Sequence, residues 1–259
     1  MNINKIKNSK NNFKLIVITA YDALFAKLFE KESHMILVGD SLNMSFAGKP
    51  DTLSATLDQM IYHTNAVCTG APSAFVICDM PFGSYINKDE ALRNCIEVYS
   101  KTQAAAVKIE GGEDRADIIK HLTSNSIAVM GHIGLMPQYV RSEGGYLVRG
   151  KTAEDIEQLV KDAKAIEAAG AFSIVLEGVK TQAAREVTQA VNIPVIGIGA
   201  GNVTDGQVLV WSDMLGFFED FKPKFVKRYL MGGEAVRKAV KQYAQEVQNG
   251  IFPSKEEEY

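Results

Sequence analysis

The sequence predicts a single-domain (β/α)8 barrel over residues 1–259, on three observations. Short apolar runs alternate with longer stretches of helical character, which implies parallel strands joined by right-handed crossovers. Eight such runs can be read along the chain, enough to close a sheet on itself. The length of 259 residues matches the roughly 250 that such barrels need. An open doubly wound sheet is the rival arrangement, and alternation alone does not separate the two.

Taken in order, the predicted strands are Leu15–Thr19, Met35–Val38, Ala74–Cys78, Ala105–Ile109, Ala128–Met130, Ser173–Leu176, Val195–Gly197 and Val208–Trp211. The predicted helices are Leu24–Lys31, Thr56–Cys68, Asp89–Thr102, Asp114–Thr123, Ala153–Ala169, Thr181–Ala190 and Glu234–Asn249. The clearest helix lies in Lys151–Gly170, where Ile156, Leu159, Val160, Ala163 and Ile166 form one apolar stripe and Gly170 stands at the C-cap. No Pro/Ser-rich linker or break in composition divides the chain. The final Lys255-Glu256-Glu257-Glu258 run reads as a solvated end.

Hydrophobic residues make up 46% and charged residues 23%, as in ordinary globular domains. No apolar run approaches the roughly 20 residues that cross a bilayer. The basic N-terminal stretch is followed by no signal-like apolar region. Cys68, Cys78 and Cys95 are odd in number and form no Cys-x-x-Cys pair, so a reducing cytoplasm is expected. A net charge of −3 gives no reason to expect a nucleic-acid or membrane partner.

Function in this architecture collects at the C-terminal ends of the strands. There the sequence offers Asp40 and Ser41, Asp79, Lys108 and Glu110, His132, and Glu177. Asp40, Asp79 and Glu110 are hard oxygen ligands suited to Mg2+. Without a cation, converging carboxylates raise one another's pKa. Helix or turn capping is the plainer role for each Asp alone. Lys108 and Glu110 are two apart on one strand and share a side, either to meet a substrate or to plug the barrel as an ion pair. His132 could contact a ligand or merely satisfy a backbone carbonyl. Glu177 is placed to act as a general base or to sit against a helix dipole. The Gly197–Gly201 run lacks the partners of a nucleotide fingerprint. The long connections Ser41–Ala55 and Gly134–Thr152 suit lids or substrate walls.

Taken together, these segments resemble the ketopantoate hydroxymethyltransferase family of the phosphoenolpyruvate/pyruvate barrel superfamily. The resemblance is carried by Thr19-Ala20-Tyr21-Asp22, Leu37 to Leu42, Tyr62-His63-Thr64, Asp79-Met80-Pro81-Phe82 and Val107 to Gly112. It continues through Gly131 to Leu135, Pro137-Gln138, Gly144-Gly145-Tyr146, Ile193 to Asn202 and Asp205 to Val210. It implies transfer of a hydroxymethyl group from 5,10-methylenetetrahydrofolate to 3-methyl-2-oxobutanoate, giving 2-dehydropantoate on the way to pantothenate. It further implies Mg2+ at Asp40, Asp79 and Glu110, keto-acid contacts from Asp40, Ser41, Asp79 and Lys108, and Glu177 as proton acceptor. His132 is a further implied contact, and a homo-oligomer, commonly a decamer, the implied assembly. Asn43 departs from an expected glycine, and Gly178 from an expected Cys or Ala. A related carbon–carbon lyase is the second reading, but such enzymes carry a catalytic Cys before Gly-His, where this chain has Met130. A non-catalytic acid-binding barrel is the third.

Overall fold

The computed structural model describes residues 1–219 and 222–259. Its elements run α1 (Ile3–Lys7), β1 (Leu15–Thr19), α2 (Ala23–Phe29), β2 (Met35–Val38), α3 (Leu42–Ser45), α4 (Leu57–Gly70), β3 (Val76–Asp79), α5 (Lys88–Lys101) and β4 (Ala106–Glu110). They continue with α6 (Ala116–Ser124), β5 (Val129–Gly134), α7 (Ala153–Ala168), β6 (Ser173–Glu177), α8 (Thr181–Ala190), β7 (Val195–Ile198), β8 (Gly206–Leu209), α9 (Trp211–Met214) and α10 (Gly232–Gln248). Every strand pairs in parallel with its sequence neighbour, and β8 returns to β1, closing the barrel. This settles the choice between barrel and open sheet.

Helix starts follow local chemistry. The side chains of Asp22, Asn87 and Thr152 accept from backbone N–H groups of the first turns of α2, α5 and α7. Thr56 and Gln59 form a reciprocal capping box at α4. Gly170 follows α7 with φ +96°, the backbone conformation that a helix-ending glycine supplies.

The barrel interior is apolar at its lower end. Leu15, Val17, Met35, Leu37, Phe75, Ile77, Ala106, Met130, Val175, Ile196, Ile198 and Val208 form one buried cluster, and Ile6 of α1 joins it. Successive side chains on a strand point to opposite faces. The inward parity set by Ile77, Ala106, Met130 and Val175 therefore continues upward to Asp79, then Lys108 and Glu110, then His132, then Glu177. Register agrees, with Asp79 opposite Lys108 and Glu110 opposite His132.

The strands differ from the sequence expectation mainly at their upper ends. Asp79, Glu110, His132 and Glu177 lie within strands rather than after them, because a polar side chain ends an apolar run without interrupting the backbone ladder. The eighth strand ends at Leu209, and Trp211 opens α9. The short helices α1, α3 and α9 were not expected. The chain groups into two compact units, Met1–Val210 and Trp211–Tyr259, and the whole barrel lies in the first. No helix among the described residues is long and apolar enough to cross a membrane.

Candidate active site

Six of the seven predicted site residues form one contact network at the C-terminal mouth of the barrel. The Asp40 backbone N–H, just beyond β2, donates to Asp79 Oδ2 at 3.0 Å. Gly39 leaves room for the Ser41 hydroxyl, since a Cβ there would lie 2.7 Å from Ser41 Oγ. Lys108 Nζ lies 2.9 Å from Asp79 Oδ1 and 3.9 Å from Glu110 Oε1. It also lies 3.0 Å from His132 Nδ1. His132 Nε2 faces Glu177 Oε2 at 3.4 Å. Asp40, Asp79, Lys108, Glu110 and His132 are all buried, while the Glu177 side chain is partly open at 19%. The seventh residue, Ser41, bonds to the Tyr21 hydroxyl at 2.8 Å.

The electrostatics are those of a crowded acidic pocket. Burial, then the charges of Asp79 and Glu110, hold the Asp40 carboxyl well above the usual carboxylate range. Burial also raises Asp79, although Lys108 pulls it back. Burial works against the Glu110 charge as well, but His132, Lys108 and the Gln138 backbone N–H outweigh it and hold Glu110 low. Burial opposes the Lys108 charge, and the surrounding carboxylates Asp79, Glu110 and Asp40 more than restore it. Lys108 is thus a lasting cation.

His132 is pulled two ways. Burial and Lys108 push its pKa down, while Glu110 and Glu177 carry it up to about 9. Nδ1 cannot both accept from the ammonium and carry a proton. The 3.0 Å contact with Lys108 is thus a hydrogen bond only while Nδ1 is bare, whereas Glu110, 3.5 Å from the same Nδ1, and Glu177 favour the protonated ring.

One buried residue enters the network without having been given a role from sequence. Gln138 lies in a 3-10 turn, Pro137–Tyr139, beyond β5. Its Nε2 donates to Asp40 Oδ2 at 2.9 Å and to the Met80 carbonyl at 3.0 Å. Its backbone N–H donates to Glu110 Oε2 at 3.0 Å, and Tyr85 donates to its Oε1. The sequence signals were its place after proline in a long post-strand loop and its presence in the Pro137-Gln138 segment that carries the family resemblance.

The two long connections meet over the mouth. Arg141 pairs with Asp51 at 3.0 Å, and the Tyr146 hydroxyl lies 3.7 Å from Met44 Sδ. Asn43 donates to the Asp51 carbonyl and to Ser54 Oγ, so this departure from glycine ties its loop together. Gly178 has φ +58°, a conformation that suits glycine better than Cys or Ala. Met130 is buried in the apolar cluster, with no thiol at the position a catalytic cysteine would need.

Four carboxyl groups here face one lasting cation, which suits a bound positive ion. Glu110 Oε1 is buried without a hydrogen bond, and Asp79 Oδ1 meets only the Lys108 ammonium. Among the described residues, however, no three His, Cys, Asp or Glu side chains are gathered as a ready-made metal cage. Asp40, Asp79 and Glu110 lie in one contact network, joined through the Asp40 backbone, Lys108 and Gln138. Lys108 sits on Asp79, and Gln138 engages one oxygen each of Asp40 and Glu110. The donor set fits a hard cation that takes one or two carboxylates and keeps water or substrate oxygens.

Comparison with known proteins shows the family. Residues 1–255 match the family model described as ketopantoate hydroxymethyltransferase. A 3-methyl-2-oxobutanoate hydroxymethyltransferase of Aliarcobacter butzleri is 78% identical, covering 100% of this chain and 96% of that protein. The Helicobacter pylori protein of the same name is 54% identical over 99% of this chain and 95% of its own. Among solved structures, phosphonopyruvate hydrolase aligns with TM-score 0.64 at 13% identity, covering 99% of this chain and 90% of its own. A 2,3-dimethylmalate lyase aligns with TM-score 0.61 at 17% identity, covering 99% and 91%. These two show the shared fold, whereas the family match and the close relatives carry the activity: the chain belongs to the ketopantoate hydroxymethyltransferase family of enzymes.

Proposed function

We propose that the protein transfers a hydroxymethyl group from 5,10-methylenetetrahydrofolate to 3-methyl-2-oxobutanoate with the help of Mg2+, giving 2-dehydropantoate for pantothenate biosynthesis. The observation that carries this reading is the buried network itself, an excess of carboxylates around one ammonium at the barrel mouth. Asp40, Asp79 and Glu110 would hold the cation, in part through water. When bound, Mg2+ supplies positive charge against the keto oxygen and so acidifies the neighbouring C–H. Asp40, Ser41, Asp79, Lys108 and His132 hold and orient the keto acid, with the Lys108 ammonium facing its anionic end. Glu177, whose carboxylate faces His132 Nε2 at 3.4 Å, takes the C3 proton. The C3 carbon then bonds to the donated methylene as the first of its two carbon–nitrogen bonds to the folate breaks, water displaces the second and supplies the hydroxyl, and the C3 proton and one water proton end on the two folate nitrogens.

We also place the enzyme in the cytoplasm, in a reducing setting that suits three buried free thiols. We propose a homo-oligomer, a decamer by family resemblance. Exposed Val236, Val240, Tyr243 and Val247 recur at helical spacing along α10, an apolar stripe of the kind that meets a partner. Sedimentation of a monomer at micromolar concentration would remove the oligomer.

The activity is tested with purified protein and the keto acid in deuterated water, followed by NMR. Exchange of the C3 hydrogen that requires Mg2+, and 2-dehydropantoate on addition of the folate, are the expected results. Exchange at full rate in excess chelator overturns the metal's role, and no product with the folate overturns the donor.

A further inference from the structure

Gln138 is 4% exposed, and its amide is used at every point. Both Nε2 protons are placed, one on Asp40 Oδ2 and one on the Met80 carbonyl. Tyr85 donates its hydroxyl to Oε1. The carboxylate and the carbonyl decide which way round the amide sits, because a flipped amide would set Oε1 against two acceptors. The buried Tyr85 hydroxyl, a neutral phenol, supplies the matching donor to Oε1. The backbone N–H of the same residue holds Glu110 Oε2 at 3.0 Å.

One loop residue beyond the fifth strand thus grips one oxygen on each of two carboxylates, from the second and fourth strands. Fixing one oxygen of a planar carboxylate fixes the direction of the other. For Glu110 that other oxygen, Oε1, is buried and free of hydrogen bonds. We propose that Gln138 is a positioning residue, held by Tyr85, which aims the free oxygens of Asp40 and Glu110 at the bound cation and keto acid. This rests on the proposed function above. A loop pin would be the simpler role, and the Met80 carbonyl contact alone would serve it. Two charge-assisted grips on acidic groups, one from the side chain and one from the backbone, exceed what pinning requires.

The two grips respond differently to substitution, and that yields the test. Gln138→Met keeps the volume and the backbone grip on Glu110 but releases Asp40. Mn2+ binding to the full-length protein, read by electron paramagnetic resonance, is expected to weaken about 10–100-fold, as when outer partners of metal ligands are removed. On an Asp40→Asn background the same substitution is expected to add little, since the group it aims is gone. Tyr85→Phe, which removes one anchoring bond of the amide and leaves its two grips in place, should weaken Mn2+ binding roughly threefold, the scale of one net hydrogen bond. If wild-type protein binds Mn2+ and Gln138→Met binds it equally well, the positioning role is overturned. Equal losses with and without Asp40 overturn it too and leave a loop pin. Should Gln138→Met fail to fold, Tyr85→Phe decides alone, and unchanged affinity there counts against the role. Failure of wild-type protein to bind Mn2+ at all instead overturns the reading of the site on which the role rests.

Discussion

The two ends of this barrel bury charge in opposite ways. At the lower end, Lys10 lies 2.8 Å from Asp205 Oδ2, and that oxygen also accepts from the Val195 N–H at 2.9 Å. The remaining reach of Lys10 goes to the Thr188 carbonyl at 2.6 Å. Neither residue appears among the buried atoms lacking a partner. At the upper end, Asp40, Asp79 and Glu110 crowd around Lys108, Glu177 stands on the far side of the His132 ring, and Glu110 Oε1 and His132 Nε2 lack hydrogen bonds. One charge pair is closed and the other network is left short of positive charge. A cleft of about 770 Å³ lies at the closed end, lined by Lys10, Asn12, Lys14, Thr188 and Asp205 among others. Its charges are already paired, whereas the upper network holds perturbed and unpaired groups, the mark of a candidate site.

Substitutions can break this contrast. The largest effect is expected from Asp79→Ala, which takes away the group joining Asp40 to Lys108. Cation-dependent keto-acid binding, measured by calorimetry, should disappear. Normal turnover of this variant in excess chelator would return the upper network to a structural role. Next is Glu177→Gln, which keeps size and hydrogen bonding but cannot take the proton. C3 hydrogen exchange should fall about 10²–10⁴-fold while Mn2+ and keto-acid binding survive. Exchange at the wild-type rate would remove Glu177 as the enolising base, and loss of metal binding would move it into the coordination sphere.

Asp205→Ala tests the closed end. It leaves the Lys10 charge and the Val195 N–H without their acceptor, at an expected cost of about 3–5 kcal/mol in unfolding free energy. Exchange by the fraction still folded should match wild type. A stable but inactive variant would contradict the division between the two ends. The smallest effect is expected from Lys108→Met, which keeps the stem and removes the charge, at about 2–5 kcal/mol of binding or transition-state stabilisation. Unchanged kcat and KM for the keto acid would make Lys108 a structural plug like Lys10.

Much of the site was legible because strand geometry repeats every second residue. Lys108 and Glu110 could be placed on one face from their spacing alone, and the structure adds that the apolar interior uses the same parity. What spacing could not show is the partner that each group takes. Asp40, Asp79 and Glu110 at neighbouring strand ends read as three oxygen ligands, and the structure adds that Lys108 reaches across from β4 to Asp79. A lysine stem is long enough to do this, and the sequence does not say which way it leans. Asn43, read as a departure from glycine, is a cross-link within its loop, with no positive φ to demand glycine.

The sequence by itself determined the alternation of strand and helix, the apolar interior, and the residue types at the strand ends. These follow from local periodicity and from the cost of burying unpaired polar groups, both of which are written in the chain order. Barrel closure, the joining of the two mouth loops, and the grip of Gln138 on Asp40 were decided only in the tertiary structure. Each joins residues far apart in sequence, 98 positions in the case of Gln138 and Asp40. Such contacts depend on where a loop travels once the strands have closed, and no local pattern encodes that path.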